Sequence, residues 1–192
     1  MTEALTVVVD ADGIAIATMD SPGRSMNVLD DDLAGPLAAL IERLATDASI
    51  KGLILASGKK DFLAGADVDR LSALASAHEA FDESMRFKKI LRKMELAGKP
   101  AVAAINGRCL GGGLEIALAC HHRIVLDDGK ARLGLPEVKL GLLPGGGGTQ
   151  RMPRLVGMQQ ALQWMGEGSD IRAAQALKTG LVGELEIGRA HV

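Results

Sequence analysis

Glycine stands beside carboxylates in three stretches of the chain: Phe62-Leu63-Ala64-Gly65-Ala66-Asp67, Asn106 through Gly111-Gly112-Gly113-Leu114-Glu115, and Pro136-Glu137-Val138-Lys139-Leu140-Gly141. Where no side chain blocks the way, a carbonyl group can approach main-chain N–H donors, and two donors aimed at one point form an oxyanion hole. Gly111 to Gly113 suit that use, and Ala66 after Gly65 is nearly as small. Glu115 lies two residues past the triplet, in the first turn of the helix the triplet opens, so its carboxylate can sit beside anything held at that helix N-terminus. Glu137 follows Pro136 in a separate loop segment. Two carboxylates in one apolar pocket can divide acid and base roles, or hold a water jointly, because repulsion and desolvation separate their proton affinities. Spacing alone leaves open whether this pair meets or whether each glutamate is simply solvated.

Other chemistries find less support. Neither Gly111 to Gly113 nor Pro144 to Thr149 ends in the Gly-Lys-Ser/Thr of a phosphate loop, and Gly145, Gly147 and Gln150 fail the dinucleotide fingerprint at its third glycine. Gly145 to Gly148 therefore read as tight turns or close packing points. No G-x-S-x-G elbow supplies an acyl-enzyme serine. His121 and His122 follow Cys120, but adjacent histidines on a helix diverge by ~100° and no further ligand stands at a suitable spacing, so no metal site is expected. Lys59-Lys60-Asp61 reads as a solvated loop that could meet a ligand phosphate.

Composition narrows the partners. The chain has 192 residues, 47% hydrophobic and 24% charged, enough to bury the core of one domain. With 22 Lys+Arg against 24 Asp+Glu it lacks the cationic excess of nucleic-acid binders, and with 2% aromatic residues it cannot build base-stacking platforms. Cys109 and Cys120 form neither a C-x-x-C motif nor a disulfide framework; both read as core thiols in a reducing compartment. No apolar run approaches the ~20 residues of a membrane span and Met1 to Asp10 has no signal-peptide pattern, so a cytoplasmic protein is expected.

The elements that must position the glycine loops alternate. Val7 to Val9 and Ile14 to Met19 form a hairpin across Asp10-Ala11-Asp12-Gly13. Leu33, Leu37, Leu40, Ile41 and Leu44 then recur at helical spacing behind Asp30 as a cap. Gly52 to Ala56 is a buried strand, the stretch from Phe81 to Leu96 an amphipathic helix stopped at Gly98-Lys99-Pro100, and Ala101 to Ile105 a second buried strand. Another helix is expected from near Leu110 through Cys120, a strand from Arg123 to Leu126, and helices at Thr149 to Leu155, Met158 to Met165 and Asp170 to Lys178. The alternation predicts an α/β protein with right-handed crossovers, whose ligands bind at the carboxyl ends of the strands.

The three glycine and carboxylate segments together resemble the crotonase (enoyl-CoA hydratase/isomerase) family over about Gly13 to Val182. Asn106 through Glu115 is similar to the family motif. Leu133 through Gly145, followed by Gly147-Gly148-Thr149-Gln150-Arg151, most resembles the hydratase part of multifunctional fatty-acid oxidation α subunits, as does the Asp127-Asp128-Gly129-Lys130 loop. The resemblance implies a crotonase-like spiral of ββα turns, an oxyanion hole at the N–H groups of Ala66 and Gly112, and Glu115 and Glu137 as the catalytic pair. It further implies a carbon–oxygen lyase of fatty-acid β-oxidation that adds water to trans-2-enoyl-CoA, giving 3-hydroxyacyl-CoA. Double-bond isomerisation, other CoA-lyase chemistry or noncatalytic acyl-CoA binding are the alternatives. Ser25, Met26, Leu63, Ala64 and Gly145 match positions near the CoA moiety.

Beyond acyl-CoA, the implied partners are other copies of the chain or a fatty-acid oxidation complex when full length. No cofactor is expected here, and NAD only if a dehydrogenase domain follows. The hydratase-like domain is expected over residues 1–185, truncated before the family's C-terminal helices. Residues 186–192 resemble a translated adapter sequence and are set aside as a non-native tail.

Overall fold

Asp10 closes the first turn by accepting hydrogen bonds from the N–H groups of Asp12 and Ile14 at 3.0 and 2.8 Å. Strands β1 (Leu5–Val9) and β2 (Ile14–Met19) consequently pair antiparallel, Leu5 opposite Met19. Gly13 completes the turn at φ 85°, where a Cβ would meet the Ser49 carbonyl at 2.7 Å. The computed structural model describes residues 3–186. Helix α1 (Asp31–Thr46) starts on the Asp30 carboxylate, which accepts from Leu33 N–H, and buries Leu33, Leu37, Leu40, Ile41 and Leu44. These apolar positions fall on one face because they recur with the helical period.

Strand β3 (Gly52–Ser57) lies parallel to β2. After it come a short helix α2 (Val68–Ser72) and the long helix α3 (Ala77–Glu95), capped by Ser76. Strand β4 (Ala101–Ile105) joins β3 in parallel, with Ala101 and Ala103 fully buried. Next follow β5 (Arg108–Leu110), helix α4 (Gly112–Ala119), β6 (His122–Leu126) and β7 (Arg132–Gly134). A 3-10 turn spans Glu137–Leu140 and leads to α5 (Gly148–Val156), α6 (Met158–Glu167), α7 (Ala173–Lys178) and β8 (Glu184–Glu186). The main sheet has the order β1-β2-β3-β4-β6-β8, parallel except for the opening hairpin, and β5 pairs with β7 in a second small sheet.

Several boundaries differ from the sequence reading. Leu110 is not helical: it ends β5, paired with Gly134, and Gly111 turns the chain at φ 53° before α4 begins. His121 and His122 are not on a helix, since Cys120 ends α4 and His122 opens β6. The His121 ring accepts the Ala101 N–H through Nδ1 at 3.0 Å. Asp170 to Arg172 precede α7, because Ile171 exchanges two main-chain hydrogen bonds with Leu133 instead. Glu186, assigned to the tail, pairs with Leu126 in β8; residues 187–192 lie outside the described residues.

Every residue of α4 is buried. Its C-terminal end is gripped by Arg123, whose guanidinium donates to the carbonyls of Ala117, Cys120 and Leu181 at 3.3, 2.7 and 2.8 Å. A buried cation on the last carbonyls complements the helix dipole and fixes the axis from which Glu115 projects. On the outer side, Met158 and Leu162 of α6 are exposed, as are Leu142 and Leu143 beside the 3-10 turn.

Candidate active site

The Ala66 N–H is presented by a loop held at both ends. Leu63 receives the Leu110 N–H on its carbonyl at 3.0 Å, and Leu29 accepts from Asp67 and donates to the Gly65 carbonyl at 2.9 Å. In a trans peptide the C=O and N–H point opposite ways, so pinning the Gly65 carbonyl to Leu29 leaves the Ala66 N–H on the other side. Gly112 begins α4, where N–H groups have no intrahelical acceptor. Among the described residues neither the Ala66 nor the Gly112 N–H has a protein acceptor. The two loops touch: a Cβ on Gly112 would lie 3.7 Å from the Ala66 nitrogen, and one on Gly65, 3.7 Å from the Gly112 nitrogen. Gly65 stands at φ 111°, which L side chains rarely adopt.

Beneath them, Gly113 packs on Leu63 so closely that a Cβ would come within 2.5 Å of its carbonyl oxygen. This contact sets the depth of α4 and hence of Glu115, two residues along. Glu115 is 3% exposed and accepts the Gly148 N–H at 2.8 Å. Burial pushes its carboxyl above the ordinary value, opposed by the N–H groups of Gly148 and Gly146 and by the charges of Arg151 and Lys88.

Glu137 starts the 3-10 turn and lays its carboxylate against the glycine triplet: a Cβ on Gly111 would lie 3.2 Å from its Oε1. Its Oε2 is buried and has no hydrogen-bond partner among the described residues. Burial pushes the Glu137 carboxyl up to about 7, against its own N–H, with the Glu115 charge adding to the rise. An unpartnered buried carboxylate oxygen is costly unless a proton, water or ligand group answers it. The two glutamates that spacing could not connect thus both border the glycine loops, near enough for the Glu115 charge to raise the Glu137 carboxyl.

The remaining positions divide. Ala64 donates its N–H to the Asn27 carbonyl at 3.0 Å, which seats it and Ala66 against the loop that carries Ser25 and Met26. Ser25 is exposed, and the Met26 sulfur accepts from Arg108, itself paired with Asp61. Leu63 is 0% exposed, so its side chain packs in the core under Gly113. Gly145 belongs to the Glu115 wall, its carbonyl receiving Ser84 Oγ at 2.7 Å. Asn27 escaped the sequence reading: fully buried, its amide nitrogen donates to Met19 O, Ser57 Oγ and Phe62 O, while its oxygen accepts from Ser21 N–H. Nothing in its local sequence marks it, because the groups it ties together come from the ends of β2 and β3 and the segments that follow them. Two shallow recesses of about 200 and 220 Å³, one beside Arg132 and Arg172 and one beside Arg123 and Arg154, include neither glutamate.

Two main-chain N–H groups that lie close together and have no partner among the described residues, with a buried and a half-buried glutamate nearby, are groups with which a carbonyl oxygen can be held and protons moved beside it. The enoyl-CoA hydratase/isomerase family model matches residues 10–186. The fatty acid oxidation complex subunit alpha of Shewanella oneidensis is 53% identical over 175 residues, covering 91% of this chain and 25% of that protein. Among solved structures, enoyl-CoA hydratase from Geobacillus kaustophilus superposes with a TM-score of 0.90 at 34% identity, over 97% of this chain and 69% of that one. DspI of Pseudomonas aeruginosa gives 0.88 at 35%, over 98% and 75%. The chain belongs to the enoyl-CoA hydratase/isomerase family and has the crotonase fold. It spans about a quarter of the length of the curated relatives it matches.

Proposed function

We propose that the chain adds water across the 2,3 double bond of a trans-2-enoyl-CoA, giving a 3-hydroxyacyl-CoA in fatty-acid β-oxidation. The observation that carries this reading is the unlike surroundings of two neighbouring carboxylates: N–H donors converge on Glu115, whereas Glu137 keeps a buried oxygen without a partner. The donors on Glu115 work against the burial that raises its carboxyl and so favour the ionised form a base needs, while Glu137, pushed up to about 7, is suited to carry a proton as the acid.

In the proposed reaction the thioester oxygen accepts from Ala66 and Gly112 N–H, each donor worth ~3 kcal/mol as negative charge develops there. Glu115 takes a proton from a water held between the glutamates. The water oxygen bonds to C3, the C2=C3 electron pair moves into an enolate, and Glu137 protonates C2. Proton exchange with solvent then resets both acids. Hydration brings no net oxidation or reduction, so the step calls for no nicotinamide, and with the two carboxyls as base and acid and the two N–H groups as charge stabilisers the proposal includes no metal; NAD would serve only a dehydrogenase domain in a longer protein. Ser25, Met26, Ala64 and Gly145 are the proposed CoA contacts, with Leu63 supporting them from below.

The relatives' names point to assembly in a fatty-acid oxidation complex, and we extend that to this protein, either in such a complex or as a homo-oligomer. A cytoplasmic setting belongs to the same proposal; among the described residues no helix is long and apolar enough to cross a membrane, and both cysteines are free. Incubation with crotonyl-CoA tests the reading: loss of the conjugated thioester absorbance with formation of 3-hydroxybutyryl-CoA is expected. Conversion of a 3-enoyl-CoA without hydration would instead make the protein an isomerase. Binding of CoA thioesters with no turnover would make it a noncatalytic module.

A further inference from the structure

Three consecutive peptide units link Gly145 to Gly148, each with its carbonyl held, and the N–H groups of the first and third are directed at Glu115. The Gly145 carbonyl receives Ser84 Oγ at 2.7 Å. The Gly146 carbonyl receives Arg151 Nη1 at 2.8 Å. The Gly147 carbonyl receives the N–H groups of Gln150 and Arg151, both at 3.0 Å, as α5 begins. Because C=O and N–H point opposite ways across a trans peptide, the first anchor turns the Gly146 N–H, and the third the Gly148 N–H, away from the anchoring groups. Gly148 N–H reaches Glu115 Oε1 at 2.8 Å, and Gly146 lies against Oε2, where a Cβ would come within 2.6 Å.

Only the third anchor follows from helix geometry; the other two come from side chains, Ser84 from the distant α3 and Arg151 from five residues along, in the first turn of α5. We propose that Ser84 and Arg151 are positioning residues for Glu115, each fixing one peptide unit of the glycine loop through its carbonyl so that the loop stays turned on the carboxylate. This inference rests on the role given to Glu115 above. Ser84 lies on α3, which also presses Phe87 against Gly146 and supplies Glu95. Glu95 accepts Arg151 Nε at 2.6 Å, and this pair is mostly buried, with 14% and 22% side-chain exposure. Burial pushes the Glu95 carboxyl up, yet hydrogen bonds from Arg151 and Arg92 outweigh it and hold it low, so Glu95 stays charged and keeps the guanidinium in place. The space is committed: Gly147 stands at φ 106°, and a Cβ there would collide with Arg151 Nη1 at 2.4 Å.

The charged groups around Glu115 are Lys88 from α3, Arg151 from α5 and Glu137 from the 3-10 turn. Freeing the Gly145 carbonyl weakens one donor to the carboxylate; removing Arg151 frees a second peptide and deletes a positive charge. Both changes raise the pH at which Glu115 ionises.

The test is a carboxyl titration of the whole chain carrying ¹³C-labelled glutamate side chains, with the Glu115 signal assigned by its loss in Glu115→Gln. Ser84→Ala is expected to move the Glu115 midpoint up by roughly half a unit and Arg151→Met by roughly one. Ser84→Thr restores the parent value and Arg151→Lys restores part of it. A purely structural role would not give this pattern of rescue. An unchanged Glu115 midpoint in folded Ser84→Ala overturns the proposal for Ser84, and in folded Arg151→Met that for Arg151. If Arg151→Met does not fold, Glu95→Gln, which loosens the guanidinium, replaces it with the same criterion. Absence of enoyl-CoA hydration by the parent chain would sink the functional reading while leaving this titration decisive.

Discussion

Glu115 and Glu137 are chemically the same residue placed in two contrasting supports. Glu115 projects from a fully buried helix clamped at both ends, by Gly113 against Leu63 and by Arg123 on the last carbonyls. Glu137 begins a short 3-10 turn whose following residues, Val138, Leu140, Leu142 and Leu143, are exposed. One carboxylate is surrounded by donors, and the other is withdrawn from water with an oxygen unanswered. Donors on Glu115 oppose the rise that burial imposes on both carboxyls, while the poorer partnering of Glu137 leaves that rise less opposed, so the fold can give two roles to one residue type.

The sharpest way to break this contrast is to neutralise each carboxyl in turn. Glu115→Gln and Glu137→Gln should each lower crotonyl-CoA hydration by about 10²–10⁴-fold. The double variant should lose less than the product of the two, because both act in one step. Retained turnover in that double variant would refute the assignment of both residues. A smaller effect tests the clamp on the helix side: Gly113→Ala forces a methyl into the Leu63 carbonyl and should destabilise the fold by about 1–3 kcal/mol, read from denaturant midpoints.

The Glu137 side is tested through pH. Its carboxyl is raised from an ordinary 4.5 to about 7, so between these values the folded chain keeps a proton that the unfolded chain has released. Stability should therefore fall as pH rises from about 4.5 to about 7, by about 1 kcal/mol after allowing for solvent screening of a partly exposed group. Glu137→Gln should flatten that slope and leave the protein more stable than the parent above pH 7, though far less active. The smallest effect checks that damage far from the site is silent: Asp10→Ala removes the two hydrogen bonds that close the β1-β2 turn and should cost about 1 kcal/mol in stability, with the KM for crotonyl-CoA unchanged.

Much of the framework was legible in local patterns. The β1-β2 hairpin, the Asp30 cap, the apolar stripe of α1 and the buried strands Gly52–Ser57 and Ala101–Ile105 rest on periodicities of two or 3.6 residues and on turn chemistry within a few residues. The misreadings fall where tertiary pairing overrides local preference. Leu110 reads as helix until Gly134 pairs with it, and Asp170 to Arg172 read as helix until Leu133 claims Ile171. Strands β5, β7 and β8 are three residues each, too short to display a period.

The sequence by itself determined which groups were available: glycines where a carbonyl could approach main-chain N–H, and a glutamate in each of two glycine-bearing segments. Family resemblance singled out Ala66, Gly112, Glu115 and Glu137 among them. Folding in three dimensions placed Glu137 against Gly111, gathered donors on Glu115 and, among the described residues, none on Glu137 Oε2, and brought Ser84, Arg151 and Asn27 to hold the surrounding loops. The physical reason is that proton affinity depends on burial and on nearby donors and charges, and those come from segments distant along the chain.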